Sequence, residues 1–150
     1  MKKNFKLDLK TSNKKAKRRL IQMGELKEKL GLTLIFIAHD LSMVRYVSDQ
    51  MAVMYLGSIV EVGKADDVYF KPKHPYTEIL VGSNPEPDPN LERGRTSTTI
   101  RGEIPSPVNV PAGCRFANRC PKVEENCKRV TPQLIPLKDS EHKVACHLYN

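Results

Sequence analysis

Two groups of residues in this chain have the types and spacing to do chemistry. At 34–44, "LIFIAHDLSMV" stops an apolar run on an imidazole and a carboxylate, His39 and Asp40. Farther on, Cys114, Cys120, Cys127 and Cys146 follow one another as C-x5-C-x6-C-x18-C. A histidine at the carboxyl end of a buried strand stands where open α/β sheets bind ligands, and its ring can donate a hydrogen bond to a phosphate oxygen. By spacing alone, such a histidine is more often a satisfied structural residue than a ligand. The cysteine spacing matches neither a zinc ribbon with two C-x2-C knuckles nor the C-x2-C-x2-C ferredoxin run. It says that a four-thiolate site is possible, with free buried thiols as the plainer reading.

Those residues need elements to hold them. Residues 14–30 read as a helix with Leu20, Met23, Leu26 and Leu30 along one stripe, ended by Gly31. Five of the six residues at 32–37 are large and apolar, which predicts a strand buried on both faces. Asp40 then suits the N-cap of a helix over 41–48, with Leu41, Val44 and Val47 facing inward. "MAVMYLGSIVEVG" splits into two apolar runs, 51–56 and 58–62, about a turn at Gly57. Helix, buried strand, helix and hairpin form the pattern of an α/β layer with an antiparallel edge. His74 before Pro75 in "HPYT" reads as a helix start with proline in the first turn, a structural role.

The composition shifts along the chain. Residues 1–30 carry eleven Lys/Arg against three Asp/Glu, whereas residues 31–150 carry fourteen of each. The net charge of +8 therefore belongs to the N-terminal stretch, and a solvated tail over 1–19 is its ordinary reading. With a neutral body and no stacking aromatics, nucleic acid is not expected as a partner. All eleven prolines fall between Pro72 and Pro136, with "NPEPDPN" at 84–90 reading as a linker. The expected organisation is a tail at 1–19, an α/β piece at 20–83, a linker at 84–97 and a small loop-rich module at 98–150. No apolar stretch approaches the ~20 residues of a membrane span, and the basic start has no apolar run behind it, so the chain reads as cytoplasmic.

"GLTLIFIAHDLSMVRYVSDQMAVMYLGSIVEVG" resembles the end of the nucleotide-binding domain of ATP-binding cassette (ABC) transporters. "ADDVYFKPKHPYTEIL" continues that resemblance. "HPYT", with "IRGEIPSPVNVPAGCRFANRCP" and "HKVACH" beyond, narrows it to the ATP-binding subunits of oligopeptide and dipeptide importers. The resemblance covers about residues 20–150. It implies that His39 is the switch histidine that contacts the γ-phosphate of ATP. It also implies a fold made of the C-terminal piece of a P-loop ATPase domain, strand, helix and hairpin, followed by a cysteine-bearing extension. The implied partners are a second ATPase subunit, membrane-spanning permease subunits and an extracellular peptide-binding protein, with the subunit peripheral on the inner face of the cell membrane.

Much of an ATPase is missing from the string. There is no G-x-x-x-x-G-K-[ST] phosphate loop, no LSGGQ-like stretch and no apolar strand ending in Asp-Glu to hold Mg²⁺. The chain thus reads as a C-terminal fragment of an importer ATPase, inactive by itself. The alternative is a non-enzymatic metal-binding interaction module left after loss of the catalytic half. A cytoplasmic setting argues against disulfides. In some members of the importer family the four cysteines ligate a [4Fe–4S] cluster, so the resemblance favours Cys114, Cys120, Cys127 and Cys146 as its ligands. Zinc is the alternative, including a Cys3His site that uses His142 or His147.

Overall fold

A computed structural model describes residues 14–39, 41–83, 110, 112–138 and 140–149. The chain divides after Phe36 into two compact units, each considered by itself. In the first, helix α1 spans Lys14–Leu30. Gly31 stops it at φ 61°, and Leu32 N–H reaches back to Lys27 O at 3.2 Å, the six-residue closure that a left-handed glycine permits. Of the expected apolar stripe, Leu26 and Leu30 are exposed and Met23 is half-buried, while the side chain of Leu20 lies outside the described residues. Helix α1 also reaches into 14–19, while residues 1–13 and the linker at 84–97 lie outside the described residues.

The strand expected at 32–37 does not form. The backbone there has no ladder partner among the described residues, and Ile35 and Ile37 are 92% and 93% exposed. The reason is physical. A strand buried on both faces needs a neighbour to satisfy each edge and a layer over each face, and the sheet among the described residues is built from other segments.

That sheet belongs to the second unit. Helix α2 spans Leu41–Val47 and buries Leu41 and Val44, as the spacing predicts; its cap residue Asp40 lies outside the described residues. Strands β1 (Gln50–Tyr55) and β2 (Ser58–Lys64) pair antiparallel. Leu56 and Gly57, at φ 45° and 76°, form the two-residue turn whose twist suits a hairpin. Helix α3 (Ala65–Phe70) follows directly, and α4 (Pro75–Gly82) starts where "HPYT" places it. The extension contributes a short 3-10 helix at Ala117–Arg119, helix α5 (Glu125–Arg129) and two strands, β3 (Ile135–Pro136) and β4 (Lys143–Val144). The strand order is β1-β2-β4-β3, antiparallel throughout.

The extension is not a free-standing module. Strand β4 completes the sheet against β2, and Ala145 N–H donates to Val60 O at 2.9 Å. Phe116 sits fully buried against Tyr55 and Tyr76, with ring centroids 5.2 and 5.3 Å away. Arg115 donates to Leu56 O in the hairpin turn. Phe116, Tyr55 and Ala145, with Met51, Val53, Val60, Val68, Ile79 and Val144, make one core shared by both parts.

One buried carboxylate holds three segments together. Pairing slips between Val53 and Met54, so an extra β2 residue interrupts the alternation and Val60 and Glu61 are both buried. Glu61, at 0% exposure, accepts from Lys73 N–H at 2.8 Å and His74 N–H at 2.9 Å. Its Oε1 also lies 2.6 Å from His142 Nε2. Gly63 makes room for that imidazole, because a Cβ there would meet its ring at 3.2 Å. His74 then caps α4 by accepting from Tyr76 N–H at 3.1 Å through Nδ1.

Glu61→Gln keeps the volume but turns an acceptor into a donor facing donors. It should cost about 1–3 kcal/mol, read as a lower urea midpoint at unchanged slope. Burial pushes the His74 pKa down from 6.5 to about 4. Unfolded chains therefore take up a proton that folded ones refuse. The contribution of this group is complete above pH 6.5 and is lost as pH falls toward 4, by about 3 kcal/mol in all. Melting temperature against pH should show that loss. His74→Asn keeps a capping acceptor without the titration, so its curve should be flatter over the same window.

Candidate functional site

His39 lies in a bend between the extended run and α2, exposed, and no described residue bonds to it. A satisfied structural histidine would be buried and paired, as His74 and His142 are. Nothing described draws His39 toward the cysteines, so the two groups singled out in the sequence are separate features.

The four cysteines lie near enough for their charges to influence one another, although the first and last are 32 positions apart in the sequence. None is in a disulfide. Cys114 N–H donates to Cys127 O at 2.7 Å, which joins the loop before the 3-10 helix to α5. Gly113 permits this approach. At φ 81° it occupies the left-handed region, and a Cβ there would stand 2.4 Å from Cys127 O. Cys120 ends the 3-10 helix, and Cys146 follows β4 in a turn closed by Tyr149 N–H to Cys146 O at 3.1 Å.

Their electrostatics show the same convergence. Burial is the main cause that raises the thiol pKa of Cys114, Cys120 and Cys146, with Cys120 pushed up to about 11. Each is raised further by neighbouring cysteines, Cys120 by all three of the others. Backbone hydrogen bonds oppose the rise, from Phe116 and Ala117 to Cys114, Lys122 to Cys120 and Leu148 to Cys146. Lys122 also favours the Cys146 thiolate, while its ammonium is held 2.8 Å from Glu78. As they stand, no three His, Cys, Asp or Glu side chains among the described residues are arranged to hold a metal ion. The thiols are near enough to repel one another when charged, but they are not closed on a common centre.

The imidazoles weighed as zinc ligands are committed elsewhere. His142 pairs with Glu61, and His147 Nε2 lies 2.8 Å from Val130 O. An open cavity of about 410 Å³, lined by Lys71, Lys73, Lys138 and His142 together with Asp67, holds charges of both signs. Sequence reasoning missed Glu61 as a structural centre. Its one signal was a glutamate inside the apolar run "SIVEV".

Residues 60–127 match the family described as the oligopeptide/dipeptide transporter, C-terminal region. The putative oligopeptide transport ATP-binding protein YkfD of Bacillus subtilis is 48% identical over 127 residues, which is 85% of this chain and 38% of that protein. The oligopeptide transport ATP-binding protein OppF of Escherichia coli K12 is 47% identical over 124 residues, 83% of this chain and 36% of its own length. A probable peptide ABC transporter ATP-binding protein of Sinorhizobium fredii, y4tS, is 46% identical over 124 residues, 83% of this chain and 34% of its own. The chain thus spans little more than a third of the relatives it matches. These relatives are named as ATP-binding proteins, which leaves the stand-alone metal-binding module without support. The chain belongs to the ATP-binding subunits of oligopeptide and dipeptide transporters, of which it carries the C-terminal region.

Proposed function

We propose that the chain serves as the C-terminal part of an ATP-hydrolysing importer subunit, and that His39 is its contact to the γ-phosphate of ATP. The observation that carries this reading is the state of His39: exposed, at the end of the apolar run, with no described residue bonded to it. An imidazole N–H donated there to a phosphate oxygen would stabilise charge that grows as the bond to the leaving group breaks. The exposed apolar residues of 32–37 fit the same reading. They have the composition of a strand whose neighbours lie in the part of the relatives this chain does not span. The phosphate loop, the LSGGQ stretch and the Asp-Glu pair that holds Mg²⁺ belong to that part too.

By the same reading the subunit is cytoplasmic and peripheral on the membrane, pairs with a second ATPase subunit and engages permease subunits fed by an extracellular peptide-binding protein. No helix among the described residues is long and apolar enough to cross a membrane.

The cysteine group is proposed as a metal centre, with Cys114, Cys120, Cys127 and Cys146 as ligands to a [4Fe–4S] cluster and zinc as the alternative. The donor set supports the reading in kind, four thiols of which three already receive backbone hydrogen bonds of the kind that steady thiolates, and metal capture would have to close them on a common centre. A bound metal would supply folding free energy to loops with little apolar content, and its capture would release protons from raised thiols.

The 150-residue chain alone should not hydrolyse ATP and should bind it poorly in calorimetry; tight binding would defeat the proposal. In a full-length subunit, His39→Ala should leave nucleotide binding largely intact and slow turnover by about 10²-fold or more, the scale for one positioned donor. An unchanged turnover number would return His39 to a structural role. Purified without oxygen, the protein should be brown and contain iron and acid-labile sulfide. Any one cysteine changed to serine should remove the colour. Gly113→Ala, which drives a methyl group into Cys127 O, should weaken metal retention although every ligand remains. One zinc per colourless chain would replace the cluster, and a metal-free ordered extension would refute both.

A further inference from the structure

The open cavity of about 410 Å³ is lined by two segments that the buried carboxylate of Glu61 ties together. One runs from α3 into the turn before α4 and contributes Asp67, Lys71 and Lys73. The other is the loop of the β3–β4 hairpin, which contributes Lys138, Ser140 and His142. Glu61 Oε1 accepts from Lys73 N–H at 2.8 Å and lies 2.6 Å from His142 Nε2, so one oxygen fixes a point on each wall. The hairpin loop is also closed on itself. Leu137 N–H donates to His142 O at 2.8 Å, Ser140 N–H to Leu137 O at 3.2 Å, and His142 N–H to Ser140 Oγ at 3.1 Å. Lys71 N–H donates to Asp67 O at 2.9 Å. The backbone around the cavity is therefore set before any ligand arrives.

We infer that this cavity binds a phosphate group, carried by a small soluble molecule or by a lipid headgroup. Its lining sets the ammonium groups of Lys71, Lys73 and Lys138 against the single carboxylate of Asp67. No described carboxylate forms an ion pair with any of the three lysines. Excess positive charge around one space selects an anion over a cation or an apolar ligand. The choice among anions follows from the donors. Lysine ammoniums are point charges on flexible stems, and from two segments they can approach a tetrahedral oxyanion on several sides. A planar carboxylate is best met by the fork of an arginine, and no arginine lines the cavity. The Ser140 oxygen already accepts from His142 N–H, which leaves its own hydrogen for a phosphate oxygen. A phosphate held there would join Lys71 and Lys73 to Lys138 and Ser140, and so draw the β3–β4 hairpin against the turn before α4. The site does not rest on the proposed roles of His39 and the cysteines.

The test titrates the full 150-residue chain with inorganic phosphate at fixed ionic strength, read by calorimetry. Binding should be saturable. Lys73→Gln and Lys138→Gln, one from each wall, should each weaken it by about fivefold or more, with the far-ultraviolet circular dichroism of the parent retained. Lys29→Gln removes the same charge from α1, outside the cavity, and should bind phosphate as the parent does. Saturating phosphate should also slow amide hydrogen exchange in 135–145 more than in 50–64, because the ligand bridges the hairpin to the turn. Vesicles of phosphatidylcholine with phosphatidic acid distinguish the sources. A lipid headgroup is the source if sedimentation with them falls in both cavity variants but not in Lys29→Gln, and a soluble phosphate is the source if all three sediment alike. The inference is overturned if phosphate binding does not saturate, if both cavity variants bind as the parent does, or if Lys29→Gln weakens binding as much as they do. No readout involves nucleotide hydrolysis or metal, so failure here leaves the proposed ATPase role standing, and the converse also holds.

Discussion

The second unit is organised around the carboxylate of Glu61. A glutamate at 0% exposure is tolerable only when its oxygens are fully engaged, since a buried, unpaired charge costs far more than a hydrogen bond returns. Here three donors supply that engagement: two successive backbone N–H groups before α4 and the imidazole of His142 from the extension. The requirement runs in both directions. Glu61 needs the 73–74 turn and the 142 loop in place, and those segments in turn have Glu61 as an anchor. Next to it, β4 pairs with β2 at Glu61↔Val144 and Val62↔Lys143, so main-chain and side-chain bonding reinforce each other at one point.

Local signals were legible in the sequence, and signals that depend on distant partners were not. Gly31 and Gly57 mark a helix stop and a hairpin turn because only backbone at positive φ fits there. His74-Pro75 marks the start of α4 because proline suits the first helical turn and the imidazole can cap it. Residues 32–37 misled for the opposite reason. Their apolar run specifies a strand, but a strand exists only with neighbours, and the sheet here is built from other segments. Strands β3 and β4 are two residues each and carry no periodic signal; the pairing of β4 with β2 and of β3 with β4 creates them. Glu61 was hidden by the irregularity in β1–β2 pairing, which leaves two adjacent residues of β2 buried and breaks the alternation a reader would use.

Of the candidate site residues, the cysteines were legible as a set but not as a geometry. Their spacing says nothing about Gly113, whose missing Cβ lets Cys114 hydrogen-bond to Cys127, nor about the backbone donors that reach three of the sulfurs. His39 was legible through its context alone. The structure adds a contrast among histidines: His74 and His142 are buried and bonded, whereas His39 is exposed and bonded to no described residue.

The extension cannot be understood as a domain hung on a linker. Phe116 lies in the body's aromatic cluster, Arg115 bonds to the hairpin turn, Lys122 pairs with Glu78 of α4, and His142 completes the shell of Glu61. Each of these residues lies within six positions of a cysteine. Whatever fixes or releases the cysteines therefore acts on residues that also support β2 and α4. The shared packing provides a mechanical connection. Coupling in the energetic sense further requires two discrete arrangements of those residues with different affinity for a ligand. The element best suited to supply them is the 135–144 hairpin. Its strands are only two residues long, and it is held by a short ladder, one imidazole–carboxylate contact and the single fully buried side chain of Val144, so a few contacts decide whether it stays closed.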